Sequence, residues 1–121
     1  MIHAFENKDM ETAYSFYDEK ARFSNINMPI GESQNLEEAK AGDKKFFEKF
    51  EITSIDVRGY PDYFNYELRN AKVVQSWWNV RLTRKSDKKE IIIPIMYIHD
   101  FNDDGMITNE SAYFSEKLLV D

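Results

Sequence analysis

The sequence predicts an α+β domain in which a curved antiparallel sheet wraps around amino-terminal helices. Two observations carry this reading. Apolar residues recur at helical spacing in residues 1–17 and 36–50. From residue 52 onward the pattern turns to alternation and β-branched runs, broken by short polar turns. With 121 residues, 42% of them hydrophobic and 15% aromatic, the chain is one domain with enough apolar side chains to close a core.

In the first segment Ile2, Phe5, Met10, Ala13, Phe16 and Tyr17 follow a helical period, with Glu, Lys and Asp between them. A bend is expected near Asn7–Asp9, where Asp9 can cap a second piece. "KARFS", residues 20–24, is a short strand candidate, and "NINMPIGES" is a loop because Pro29 and Gly31 interrupt regular structure. Asn35 followed by Glu38 makes a capping box for a helix over 36–50. The apolar face of that helix is Leu36, Ala39, Phe46, Phe47 and Phe50. Gly42 interrupts it at a cost of about 1 kcal/mol relative to Ala.

"ITSIDVRGY" alternates and stops at Pro61. "FNYELRNAKVVQSWWNVRLTR" holds one long or two shorter strands, and "KSDKK" is a polar turn. "EIIIPIMYIHDF" and "MITNESAYFS" complete a sheet of about four antiparallel strands. Asp56 falls opposite the apolar Thr53, Ile55 and Val57 and is read as solvated. The charges of 81–90 are read as a solvated hairpin, with a basic docking site as the alternative.

Composition excludes several function classes. A net charge of −6 argues against a general electrostatic surface for nucleic acid, which needs a basic stripe. The absence of cysteine rules out disulfides and thiolate metal sites. No apolar run approaches the roughly 18 residues that span a membrane. Cytoplasm is the default compartment, with secretion after loss of a leader as the alternative. No cofactor or metal is expected: the sequence lacks a glycine-rich phosphate loop, and its two histidines have no zinc-ligand spacing with the carboxylates.

From Asp100 the chain reads D-x-N-x-D-G, the opening of a calcium-binding EF-hand loop. Such a loop needs a preceding helix and ends on a bidentate Glu. Here a β-branched run precedes it and Ser111 takes the final place. Asn102, Asp103, Asp104 and Gly105 are therefore read as a hairpin turn.

With Gly105 as the bulge residue and Phe101 opposite Ile107, one face of the hairpin carries Ile95, Tyr97, His99, Asn109, Ser111 and Tyr113. This face mixes apolar and hydrogen-bonding groups, as a ligand pocket does. Tyr17 and one of the adjacent tryptophans, taken as Trp78, are added to that pocket. Tyr14, Tyr17, Tyr60 and Tyr63 are candidates for hydroxyls at its mouth, with the edge of the core as their default role. The other face, with Ile92, Met96 and Ile98, suits a homodimer interface. His99 is the candidate general acid or base, because an imidazole titrates near neutrality. The alternative is a histidine hydrogen-bonded for structure alone.

Two motifs also carry a resemblance. Tyr17-Asp18-Glu19-Lys20-Ala21-Arg22-Phe23 is similar to a Y-x-D-D/E-A-x-F motif, with one extra residue before the alanine. Phe101 to Ile107 is similar to F-x-D-G-K-I, with Met106 in place of the lysine and one extra turn residue. In this order the chain resembles the nuclear transport factor 2-like superfamily, and within it the SnoaL-like group. The resemblance implies a cone-shaped α+β barrel with a pocket between sheet and helices, and frequent homodimers. It does not fix a function, because the superfamily includes isomerases, cyclases, dehydratases and binding modules.

The expectation is a dimeric domain that binds an apolar or amphipathic small molecule in its cone. A cofactor-independent isomerase, cyclase or dehydratase using His99 with tyrosine hydroxyls is the enzymatic alternative. A dimerisation module whose cone is filled by its own side chains is the structural one.

Overall fold

The computed structural model describes residues 1–66 and 71–120. Residues 67–70, within the stretch read as one long or two shorter strands, lie outside the described residues. The first helical segment divides where expected. Helix α1 covers Ile2–Glu6 and α2 covers Met10–Ser15. Between them Lys8 takes a φ of 60°, and the Asp9 side chain caps α2 by accepting from the Thr12 backbone N–H at 3.3 Å.

Strand β1 runs Tyr17–Asn25, longer than "KARFS", so Tyr17 opens a strand and does not close a helix. Helix α3 is Leu36–Lys49, continuous through Gly42. Its capping box is complete: Asn35 Oδ1 accepts from Glu38 N at 2.8 Å, and Glu38 Oε1 accepts from Asn35 N at 3.1 Å. Strands β2 Phe50–Val57, β3 Asp62–Tyr66, β4 Ala71–Arg84, β5 Glu90–Phe101 and β6 Ile107–Tyr113 follow. No helix among the described residues is long and apolar enough to cross a membrane.

The six strands form one curved, unclosed sheet in the order β1-β6-β5-β4-β2, with β3 also on β4. The sheet is mixed, because β1 runs parallel to β6 while the other pairs are antiparallel. The difference from a wholly antiparallel sheet has a simple cause. Partners joined by a tight turn must be antiparallel, whereas β1 meets β6 across most of the chain and no turn dictates its direction.

Two irregularities decide which side chains point inward. In β2, Ile52 pairs with Leu82 and Ser54 with Arg81, leaving Thr53 as the extra residue of a bulge. In β6, Ile107 pairs with Phe101 and Asn109 with Asp100, leaving Thr108 as the extra one. Each threonine hydroxyl donates to a carbonyl on the neighbouring strand, Thr53 Oγ1 to Arg81 O at 3.1 Å and Thr108 Oγ1 to Asp100 O at 3.3 Å. A bulge shifts inward–outward alternation by one residue and bends its strand. Phe50, Ile52 and Ile55 are thereby the buried set of β2 and Thr53 is exposed, against the expected apolar face, while Val57 keeps the face of Ile55, opposite Trp78, and is exposed at the strand's end.

The core is divided in two. Phe50, Ile52, Ile55, Val80, Leu82, Ile91 and Ile93 form one cluster. Tyr17, Ala21, Phe23, Ala39 and Ile107 form the other. Members of both line the space between them, and that space is open.

Candidate functional site

A cavity of about 340 Å³ lies between the concave face of the sheet and the helices. This is within the range of small-molecule pockets. Its walls are mainly apolar, with Phe5 from α1, Phe46 from α3, Ile52 from β2, Val80 from β4, Ile93 from β5 and Phe114 after β6. Among the described residues, Asp43 and Glu110 are its only acidic lining residues, and no Lys, Arg or His side chain lines it.

Glu110 is placed by the β6 bulge. Past Thr108 it stands opposite His99, and Phe23 of β1 flanks it on the other side. His99 Nε2 lies 2.8 Å from Glu110 Oε1, and the Tyr17 hydroxyl donates to the same oxygen at 2.5 Å. Donation by His99 to a carboxylate requires the proton on Nε2. The Tyr97 ring stacks on the imidazole, centroids 5.2 Å apart. The histidine is only 5% exposed, so these contacts hold it rigidly.

Asp43 is placed by α3. It lies four residues after the buried Ala39 and three before Phe46, on the stripe that faces the sheet. The Tyr14 hydroxyl of α2 donates to Asp43 Oδ2 at 2.6 Å. Burial pushes the Asp43 carboxyl up to about 6, the Tyr14 hydrogen bond works against that rise, and the Glu110 charge adds to it. Burial also raises the Tyr14, Tyr17 and Tyr97 hydroxyls, chiefly because a phenolate would be poorly solvated there. The Glu110 charge adds to the effect on Tyr17 and Tyr97.

The expected pocket residues divide cleanly. Tyr17 and Tyr97 line the cavity. His99 is on the same face and reaches the cavity through Glu110 without lining it. Trp78 pairs with Ile95 and so takes the concave face, but it stands outside the cavity wall, its Nε1 donating to Ser76 Oγ at 2.9 Å. Trp77 pairs with Met96 on the convex face.

Asn109, Ser111 and Tyr113 are corrected to the convex side, because the bulge falls at Thr108 and turns Glu110 and Ala112 inward instead. Of the tyrosines expected at the mouth, Tyr14 lines the cavity, while Tyr60 is 91% exposed and Tyr63 is also exposed. Asp56 is at the surface, paired with Arg81 at 3.3 Å. Ile92, Met96 and Ile98 sit on the convex face with Trp77 and Tyr113, and Ile92 is 49% exposed.

The 102–106 turn is organised by Asn102. Its side-chain oxygen accepts from the backbone N–H groups of Asp104 and Met106, both at 3.0 Å, and Gly105 has φ 77°.

Sheet order, mixed pairing and a hollow beneath three helices can be compared with known structures. A Bacillus subtilis protein provisionally assigned as an isomerase superposes with a TM-score of 0.72 at 14% identity, covering 97% of this chain and 82% of that one. The nuclear transport factor 2-like fold is shown. A SnoaL-like protein from Mesorhizobium loti, provisionally assigned as a polyketide cyclase, gives 0.64 at 16% identity, covering 92% and 90%. An LEH-like epoxide hydrolase from M. tuberculosis gives 0.66 at 12% identity, covering 96% and 77%. No protein-family model matches the sequence, and no curated protein matches it significantly. At these identities the nuclear transport factor 2-like likeness is one of fold, and activity has to be argued from the site.

Proposed function

We propose that this domain binds a small, mainly apolar molecule carrying one polar end. The observation behind this is the cavity itself: about 340 Å³ of mainly apolar-walled space whose acidic side chains, among the described residues, are Asp43 and Glu110. A domain that only packs against partners gains nothing from such a hollow, since unfilled volume costs stability. Binding of an uncharged apolar fluorophore such as N-phenylnaphthylamine tests the reading. One saturable site per chain is expected, and Ala112→Phe, which fills the cavity, should abolish it. Unsaturable binding, or equal binding by the filled variant, contradicts it.

Acid–base catalysis without a cofactor is a second reading, supported by the environment of Asp43. A carboxyl raised to about 6 can take or give a proton near neutrality. Glu110, beside it in the lining, is the complementary carboxylate, and the Tyr97 hydroxyl is a donor to developing negative charge. In this scheme His99 is a positioning residue for Glu110, not the group that meets substrate. The solved neighbours assigned to isomerisation, cyclisation and epoxide hydrolysis favour chemistry of this general kind. Glu110→Gln and Asp43→Asn should each remove turnover of a substrate while retaining fluorophore binding.

The convex face supports a homodimer. Trp77, Ile92, Met96, Ile98 and Tyr113 make an apolar patch on an outward sheet surface, and patches of this kind mark interaction sites.

A further inference from the structure

The hydrogen bonds at the polar end of the cavity are unevenly distributed. Tyr14 occupies Asp43 Oδ2, while Tyr17 and His99 both occupy Glu110 Oε1. Asp43 Oδ1 and Glu110 Oε2 have no hydrogen-bond partner among the described residues, and neither does the Tyr97 hydroxyl, which sits deep in the fold. No fully enclosed polar side-chain atom among these residues lacks a partner. The three free atoms therefore border open space, and all three side chains line the cavity.

Two of these atoms are carboxylate oxygens, which only accept, and the phenol oxygen can accept as well. The O–H groups of Tyr14 and Tyr17 are already spent on the carboxylates. Among the described residues no basic side chain lines the cavity to balance them. What is missing is a cation with three N–H donors and an apolar tail, which describes a protonated primary amine. An anionic ligand would meet two carboxylates offset only by the Tyr97 hydroxyl and by the Met1 amino group, whose charged form burial disfavours, and an alcohol supplies one donor for three acceptors.

We infer that the cavity takes a small amphipathic amine, its ammonium group held among Asp43, Glu110 and Tyr97 and its tail against Phe46, Val80 and Ile93. This rests on the reading that the cavity binds a small molecule, and it names the chemical class. Among the described residues, the titratable groups that line the cavity with Asp43 or hydrogen-bond to its lining are few. They are Tyr14 on α2, Tyr17 on β1, Tyr97 and His99 on β5, Glu110 on β6 and the Met1 amino group, whose pKa burial lowers. Lys40 of α3 is engaged over the Tyr14 ring at 5.2 Å. An ammonium group is favoured by ionised Asp43 and disfavoured by the protonated form, so amine affinity should rise with pH through about 6.

The test is a matched titration of hexylamine, hexanol and hexanoate into the protein, followed by amide NMR shifts at Ala39 and Ala112. Hexylamine should bind about tenfold or more tightly than hexanol, since hydrogen bonds to charged groups are the strong ones, and hexanoate should bind more weakly than either. Asp43→Asn and Glu110→Gln should each reduce that preference, and Tyr97→Phe should reduce it less. In the unmodified protein, hexylamine affinity should rise about tenfold between about pH 5 and about pH 8, while hexanol affinity stays level. An amine that binds no more tightly than the alcohol, or whose affinity falls as pH rises, overturns the inference and leaves the binding cavity standing. Failure of all three compounds to bind overturns both.

Discussion

His99 and Glu110 meet across the β5–β6 ladder, Nε2 to Oε1 at 2.8 Å, and this pairing exists because Thr108 is bulged out of β6. With a regular ladder Asn109 would face the imidazole and Glu110 would point to solvent. The bulge thus sets the chemistry of the cavity, turning an exposed acid of a hairpin into its polar end.

Removing that acid should be costly. Glu110→Ala leaves the buried His99 imidazole and the Tyr17 hydroxyl without their common acceptor. A loss of about 2–4 kcal/mol is expected, the range for stranding buried polar groups. Denaturant unfolding checks this, and Glu110→Gln, which keeps an acceptor, should recover most of the loss.

Asp43 should act in the opposite sense. Its carboxyl is raised from 3.8 to about 6 on folding, so the folded state holds its proton more tightly than the unfolded chain does. The protonated form is favoured, and the stability it contributes is fully present below the unfolded value and is lost as pH rises through about 6. Above that pH the buried charge costs about 2–3 kcal/mol. Asp43→Asn, which can still accept from Tyr14, should therefore be more stable than the parent by about that amount near pH 8. The gain should vanish near pH 4, as thermal unfolding at several pH values would reveal.

Gly42 offers a smaller effect. It is helical, and a Cβ built there meets nothing within 4 Å. Gly42→Ala should stabilise the protein by about 1 kcal/mol, or roughly 4 °C in Tm, measured by differential scanning calorimetry. A loss of stability would mean that the helix needs the glycine for a contact.

Sedimentation tests the convex face. At micromolar concentration the protein should run as a dimer, and Met96→Glu, which places a charge in the centre of the apolar patch, should run as a monomer. A monomeric parent would remove the patch from the account.

The contrast between legible and illegible residues has physical causes. The starts of α2 and α3 were readable because caps are local: Asp9, Asn35 and Glu38 bond to backbone within one turn. The inward set of β5, with Ile95 and Tyr97, was readable because that strand alternates without interruption. Asn109, Ser111 and Tyr113 were misplaced because nothing in "GMITNE" distinguishes a bulge at Gly105 from one at Thr108. Thr53 was misplaced for the same reason.

Glu110 was hidden behind that ambiguity, one acid among 22. Asp43 did leave a signal. The stripe Leu36, Ala39, Phe46 and Phe50 steps by three, seven and four residues, and position 43 is where it wants an apolar side chain. An acid on the buried stripe of a helix is a reason to expect a cavity beside it.

The space between sheet and helices is hollow and mainly apolar-walled. Crystals pressurised with xenon test it most directly, since xenon enters apolar cavities and not packed cores. We predict a xenon peak bounded by Phe46, Val80 and Ile93. A crystal structure with those side chains in mutual contact and no xenon among them would contradict the account.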